Sequence, residues 1–272
     1  MRPQEYAYPV YLGQCKAYYQ PQIDNDWQVV GVEALLRTHA PNTDTTSAPY
    51  DFIAAAEADR TIGHVDRWMF IQAIDQYIEW ERRGIAVPIW VNASRYSLED
   101  PYYVKTCLKH LKQSGLPPGS INIEITEEGQ LTQRMVESIL AFREAGVKIA
   151  LDDFGTKYSN IEAFEIILPD KLKVDQGFIR QGSDPDIGDI TSNQEHQRAV
   201  RAIFNIANGA GTDIVVEGVE KHTQRDTIFS LADEFKYLGK VSCQGYLHAK
   251  PLLPDLFWAF ASNAVSGYVP RG

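Results

Sequence analysis

The chain has 272 residues, 44% of them hydrophobic, which is enough for a sizeable core and fits the ~250-residue size common among α/β barrels. Its 36 acidic residues outnumber 26 basic ones, and the net charge of −10 argues against a general binder of DNA or RNA, whose surface carries a basic patch. Cys15, Cys107 and Cys243 lack CxxC spacing, so buried thiols in a reducing compartment are expected rather than disulfides or a zinc site. The opening residues MRPQEYAYPV hold no apolar signal core, and no run nears the ~20 apolar residues of a membrane span. A cytoplasmic protein with no membrane partner is therefore expected.

In chain order, strands are predicted over 16–22, 29–36, 87–92, 121–126, 147–152, 171–175, 213–218 and 240–246. Helix-like stretches separate most of them, the pattern of a mainly parallel sheet with crossover helices. The first two strands are joined only by Asp24, Asn25 and Asp26, a turn-forming cluster too short for a parallel crossover. That pair is predicted to be antiparallel. Met135, Val136, Ile139, Leu140 and Phe142 mark one apolar face of a helix over 132–145, with Gly146 as its stop. The sum is an α/β fold, a TIM-like (β/α)8 barrel with an antiparallel first strand. Residues 1–9 are read as a lead, 10–255 as the barrel and 256–272 as a tail, with no fused domain expected on either side.

Carboxylates recur at the downstream ends of the apolar runs. Glu33 follows VVGV, Glu124 follows INI, Asp152 and Asp153 follow KIAL, and Glu217 and Glu220 follow DIVV, while Asn92 follows PIW. In a barrel these ends converge at the C-terminal mouth, where such folds place their chemistry. Side chains alternate along a strand, so Asn122, Glu124 and Thr126 share one face and Lys173 and Asp175 share another. An inward polar face is costly unless its groups are paired or hold a ligand. So many acids with few cations suit a hard divalent metal such as Mg²⁺ or Mn²⁺.

Taken in order, VGVEALLR at 30–37, VNAS with Asn92, EITE at 124–127, LDDFGT at 151–156, LKVD with Lys173, VEGVE at 216–220 and QGY at 244–246 resemble the EAL domain family, the cyclic-di-GMP phosphodiesterases. The resemblance runs over about residues 10–255. It implies hydrolysis of one phosphodiester bond of cyclic di-GMP to linear pGpG, with two Mg²⁺ or Mn²⁺ ions per site, and it allows a homodimer. By motif position, Glu33, Asn92, Glu124 and Asp152 would ligate one metal, and Asp152 with Asp153 the second. Glu217 or Glu220 would bind metal or orient water, one of them as general base. Lys173 would sit near the attacking water and the scissile phosphate. Arg37 and Leu35 would face the ligand, Gln244 the edge of the site, and Glu127 would hold the loop after Asp153. Two metal ions so held activate water and stabilise the opposite oxygens of an in-line displacement.

The chain departs from the family pattern in places. Lys157 stands where the family has glycine in DDFGTGYSS, Thr38 where a tryptophan often follows the motif arginine, and Ser97 where a glutamine often stands. The stretches 180–198 and 220–244 are longer than usual and are expected to be surface insertions. Lys157 motivates an alternative, a catalytically weakened cyclic-di-GMP-binding effector or interaction module. Asp153-Phe154-Gly155 also spells a kinase motif, but no glycine-rich phosphate loop accompanies it.

Overall fold

The chain path is set by its first turn. Asp24 accepts hydrogen bonds through Oδ1 from the amides of Asp26 and Gln28, both at 2.9 Å, which folds β1 (Cys15–Ile23) back onto β2 (Val29–His39) as the turn cluster requires. This computed structural model describes residues 15–39, 46–47, 49–126, 131–155, 161–180 and 189–265. β1 pairs antiparallel with β2 across nearly its whole length and meets β9 (Val241–Cys243) antiparallel at Ile23 and Cys243. From β2 onward every wall pairing is parallel, through β4 (Ile89–Asn92), β5 (Ile121–Thr126), β6 (Ile149–Phe154), β7 (Lys171–Val174), β8 (Asp213–Val216) and β9. The β1–β2 pairing closes the sheet on itself, giving the TIM-like barrel with one antiparallel strand. A two-residue strand, β3 (Thr46–Ser47), lies outside the predicted set and pairs antiparallel with the end of β2.

Helices cover the wall as the alternation of runs requires. They are α1 (Tyr50–Ala58), α2 (Ile62–Arg82), α3 (Arg95–Leu98), α4 (Pro101–Ser114), α5 (Gln133–Glu144), α6 (Ile161–Ile167), α7 (Gln194–Ala210), α8 (His222–Glu234) and α9 (Pro254–Val265). α5 fills the predicted stretch, with Thr132 accepting from the Met135 amide and Gly146 at φ +85 beyond its end. Leu140, expected on its buried face, is 52% exposed, and Ser138 is buried instead. Residues 254–265, reaching into the expected tail, form α9, which seats Phe257 against Trp80 and Tyr19. Its first turn is tied to α2 by Arg83 and Asp255 at 2.7 Å and by the Trp80 indole on the Pro254 carbonyl at 3.2 Å.

Parts of the two stretches expected to be surface insertions are buried. The described part of 180–198 buries Ile190 and Asp189 and continues into α7. Most of 221–243 is α8, with Ile228 and Leu231 in the core, followed by β9.

Candidate active site

Strand alternation puts one side-chain set against the helices and the other inside the barrel. Ile121, Ile123 and Ile125 join the apolar core, while Asn122 and Glu124 are buried among the interior polar groups. The same alternation on β7 turns Lys171 and Lys173 inward, and both are buried. Lys173 Nζ ends among four carboxylates brought by four other segments: Glu124 at 2.7 Å, Glu217 at 2.9 Å, Asp152 at 3.1 Å and Glu33 at 3.3 Å. Burial pulls its ammonium down, but Asp152, Glu124, Glu217 and Glu33 outweigh burial and hold it well above the ordinary lysine range.

The four acids are not equivalent. Burial pushes Glu33 up, yet Lys173, Gln244 and Asn92 together reverse this and hold it below the ordinary carboxylate range. The donors are in place: Asn92 Nδ2 reaches Glu33 Oε1 at 3.0 Å, and Gln244 Nε2 reaches Glu33 Oε2 at 2.6 Å. For Glu124, burial and then Glu33 raise the carboxyl well above its usual range against the pull of Lys173. Lys173 Nζ stands 2.7 Å from Glu124 Oε2, and among the described residues no donor reaches Glu124 Oε1. Burial, with Asp152 and Glu33, lifts Glu217 to about 8 despite Lys173.

At the mouth, Asp152, Asp153 and Glu217 each offer an oxygen, all within 4.8 Å of one another. Asp153 reaches this position with φ +55, and its amide donates to Asp152 Oδ1 at 2.9 Å. A left-handed aspartate is uncommon and is a conformation that functional sites favour. Oxygen donors gathered this closely, beside a buried carboxylate whose Oε1 has no donor among the described residues, fit a hard divalent cation.

The remaining predicted residues fall around this centre. Leu35 and Arg37 line an adjoining cleft with Tyr50, Asp66 and Asn92, and Arg37 turns one Nη onto the Leu36 carbonyl at 2.7 Å. Gln244 is 4% exposed and lines the cleft over Lys173 beside Glu33. Glu220 is not brought to Lys173: it pairs with Arg180 at 2.8 Å on the rim. Glu127 and Lys157 lie outside the described residues. Of the two altered positions, Ser97 is buried and donates to Asp66 Oδ2 at 2.6 Å, while Thr38 is half-buried on β2.

Two residues at the site escaped the sequence reading. Asp66 lines that adjoining cleft beside Asn92, and burial raises its carboxyl to about 6 despite hydrogen bonds from Ser97 and Ser94. The signal was present, because Asp66 interrupts the apolar stripe of Ile62, Val65, Met69 and Phe70 on α2, a position where an acid is costly. Arg180 lines the cleft over Lys173 with Gln176 and Tyr246, and no spacing in the sequence marks it.

A model of the EAL domain matches residues 9–251. A cyclic di-GMP phosphodiesterase of Pseudomonas aeruginosa is 30% identical over 243 residues, covering 87% of this chain and 38% of that protein. The chain spans well under half the length of the curated relatives it matches. Among solved structures, the PaMucR phosphodiesterase in complex with c-di-GMP superposes with a TM-score of 0.77 at 26% identity, over 90% of this chain and 94% of that one. The manganese and cyclic-di-GMP complex of Klebsiella pneumoniae BlrP1 gives 0.73 at 26% identity, over 89% and 57% respectively. Among the described residues, no helix is long and apolar enough to cross a membrane.

Proposed function

The chain belongs to the EAL domain family, and from that premise we propose that it is a metal-dependent phosphodiesterase opening cyclic di-GMP to linear pGpG. The observation that carries the reading is the buried ammonium of Lys173 within reach of Glu33, Glu124, Asp152 and Glu217. Such an excess of buried acid over base is unfavourable for folding alone and is explained by cation binding. Glu33, Asn92, Glu124 and Asp152 would hold one Mg²⁺ or Mn²⁺, and Asp152 with Asp153 a second. When bound, such ions neutralise developing charge on phosphate oxygens and lower the pKa of water.

The chain's own groups supply the rest. Glu217, 2.9 Å from the Lys173 ammonium and grouped with Asp152 and Asp153 at the mouth, is the carboxylate placed to take a proton from water. Lys173, held charged by its neighbours, supplies positive charge where the phosphorane forms. Arg37 and Leu35 flank the cleft for one half of the dinucleotide, where Asp66 offers an acceptor to the N–H edge of a guanine. On the rim, Arg180 and Tyr246 present a cation and an aromatic face to the other half. Glu220 orients Arg180 there rather than acting as the base.

The test is incubation of purified protein with cyclic di-GMP and Mn²⁺ or Mg²⁺, with product separation. Accumulation of pGpG, lost on Glu217→Ala, is expected. Binding of cyclic di-GMP without any product across pH and metal would replace this reading with that of a binding effector.

A further inference from the structure

Below Lys173 the barrel holds a second inward lysine that the chemistry above does not use. Lys171 Nζ donates to Gln22 Oε1 at 2.8 Å and lies 4.0 Å from the centre of the Trp90 ring. Gln22, fully buried, passes its Nε2 to Gln244 Oε1 at 3.1 Å. Gln244 in turn sends Nε2 to Glu33 Oε2 at 2.6 Å and, less closely, to Gln20 Oε1 at 3.3 Å. Room for this chain exists because position 31 is glycine, since a Cβ there would lie 2.7 Å from Gln22 Oε1.

The ends of the chain determine its direction. An ammonium only donates and a carboxylate only accepts, whereas an amide can present either end. With Lys171 at one end and Glu33 at the other, both amides must turn oxygen toward the lysine and nitrogen toward the carboxylate. Were Lys171 absent, Gln22 Oε1 would lose its donor, and only the Glu33 end would be left to hold the direction of the two amides. We propose that Lys171 and Gln22 are positioning residues that fix the orientation of the Gln244 amide, and so hold Glu33 ready to receive a divalent cation. The proposal rests on the metal reading of the site.

Groups that orient a metal ligand commonly change metal affinity by about 10–100-fold when lost. The test is direct titration of purified protein with Mn²⁺, following free ion by electron paramagnetic resonance, with no substrate present. Lys171→Met and Gln22→Met are each expected to weaken Mn²⁺ binding about tenfold, and the double variant no more than the singles, because both cut one chain. Gly31→Ala, which removes no polar group but displaces the Gln22 amide, is expected to weaken it in the same sense. The sign separates this from a simple charge effect, since deleting a nearby cation would otherwise tighten binding of a metal ion. Tighter or unchanged binding in folded Lys171→Met, or additive losses in the double variant, overturns the proposal. If Lys171→Met does not fold, Gln22→Met and Gly31→Ala decide, and unchanged affinity in both overturns it. Wild-type protein that binds no Mn²⁺ overturns the metal reading itself, and this proposal with it.

Discussion

Lys173 and Glu124 meet at 2.7 Å with both side chains closed off from water, and the pair affects its two members differently. Lys173 has three further acids to hold its charge, whereas Glu124 has Lys173 as its neighbouring cation and Glu33 and Asp152 as neighbours of its own sign. Lys173 is thus satisfied while Glu124 is not, which identifies where an added cation would bring the largest relief.

Removing Lys173 leaves those acids facing one another. Lys173→Met is expected to abolish hydrolysis and to destabilise metal-free protein by about 3–5 kcal/mol at neutral pH, the range for breaking a buried pair. Urea unfolding in EDTA reads this. Mn²⁺ should recover part of the loss, and equal stability of wild type and variant in EDTA would contradict the account.

Metal binding to the native state should stabilise it in proportion to the logarithm of metal concentration, by about 2.7 kcal/mol at a hundredfold excess over Kd. A thermal melt titrated with Mn²⁺ measures this. Glu124→Gln, which keeps shape and removes the charge, should flatten the titration, and a wild-type melting temperature indifferent to Mn²⁺ would exclude the site.

Asp66 carries a pH signature of its own. Its folded pKa of about 6 lies above the ordinary aspartate value of 3.8, so between those limits the native state holds a proton that the unfolded chain has lost. Stability contributed by that proton is complete below the unfolded value and is lost as pH rises through about 6. The difference amounts to about 3 kcal/mol. Asp66→Asn should therefore gain stability relative to wild type between about pH 4 and 6.5. A constant difference over that window in urea unfolding would refute the assignment.

The rim is fastened by Asp189. It accepts from Thr191, from Lys221 at 3.0 Å and from Gln224 at 3.2 Å, and the Gln224 amide oxygen receives the amides of Glu220 and Lys221, both at 2.9 Å. Asp189→Ala, which leaves buried donors without partners, is expected to cost about 1–3 kcal/mol and to lower kcat/KM by loosening the segment after Glu217. Lys221 is 60% exposed, so Lys221→Met should cost less than about 1 kcal/mol. Equal costs for the two would show that the ion pair, rather than the hydrogen-bonded clasp, holds the segment.

Much of this was readable along the chain. Asp24–Asp26 dictated an antiparallel start because three residues cannot cross a sheet, and β1 does run against both neighbours. The period of two placed Glu124 and Lys173 inward before any partner was known. Leu140 and Ser138 exchanged roles because both lie near the edge of the α5 stripe, and hydrophobicity alone does not settle which one turns inward. At Ser138 the neighbour decides, since its hydroxyl donates to the Leu98 carbonyl at 2.7 Å.

By itself the sequence determined the order of strands, the face each polar side chain takes, and the acids available at the barrel mouth, because these follow from local periodicity and turn length. Only the tertiary structure decided who meets whom. It gave Glu220 to Arg180 rather than to Lys173, brought Asp66 from α2 to the cleft, and ran a line of hydrogen bonds from Lys171 through Gln22 and Gln244 to Glu33. Those meetings cross the barrel between residues as much as 222 positions apart, as Gln22 and Gln244 are. They depend on strand stagger and barrel closure, which are properties of the whole sheet and are written in no single segment.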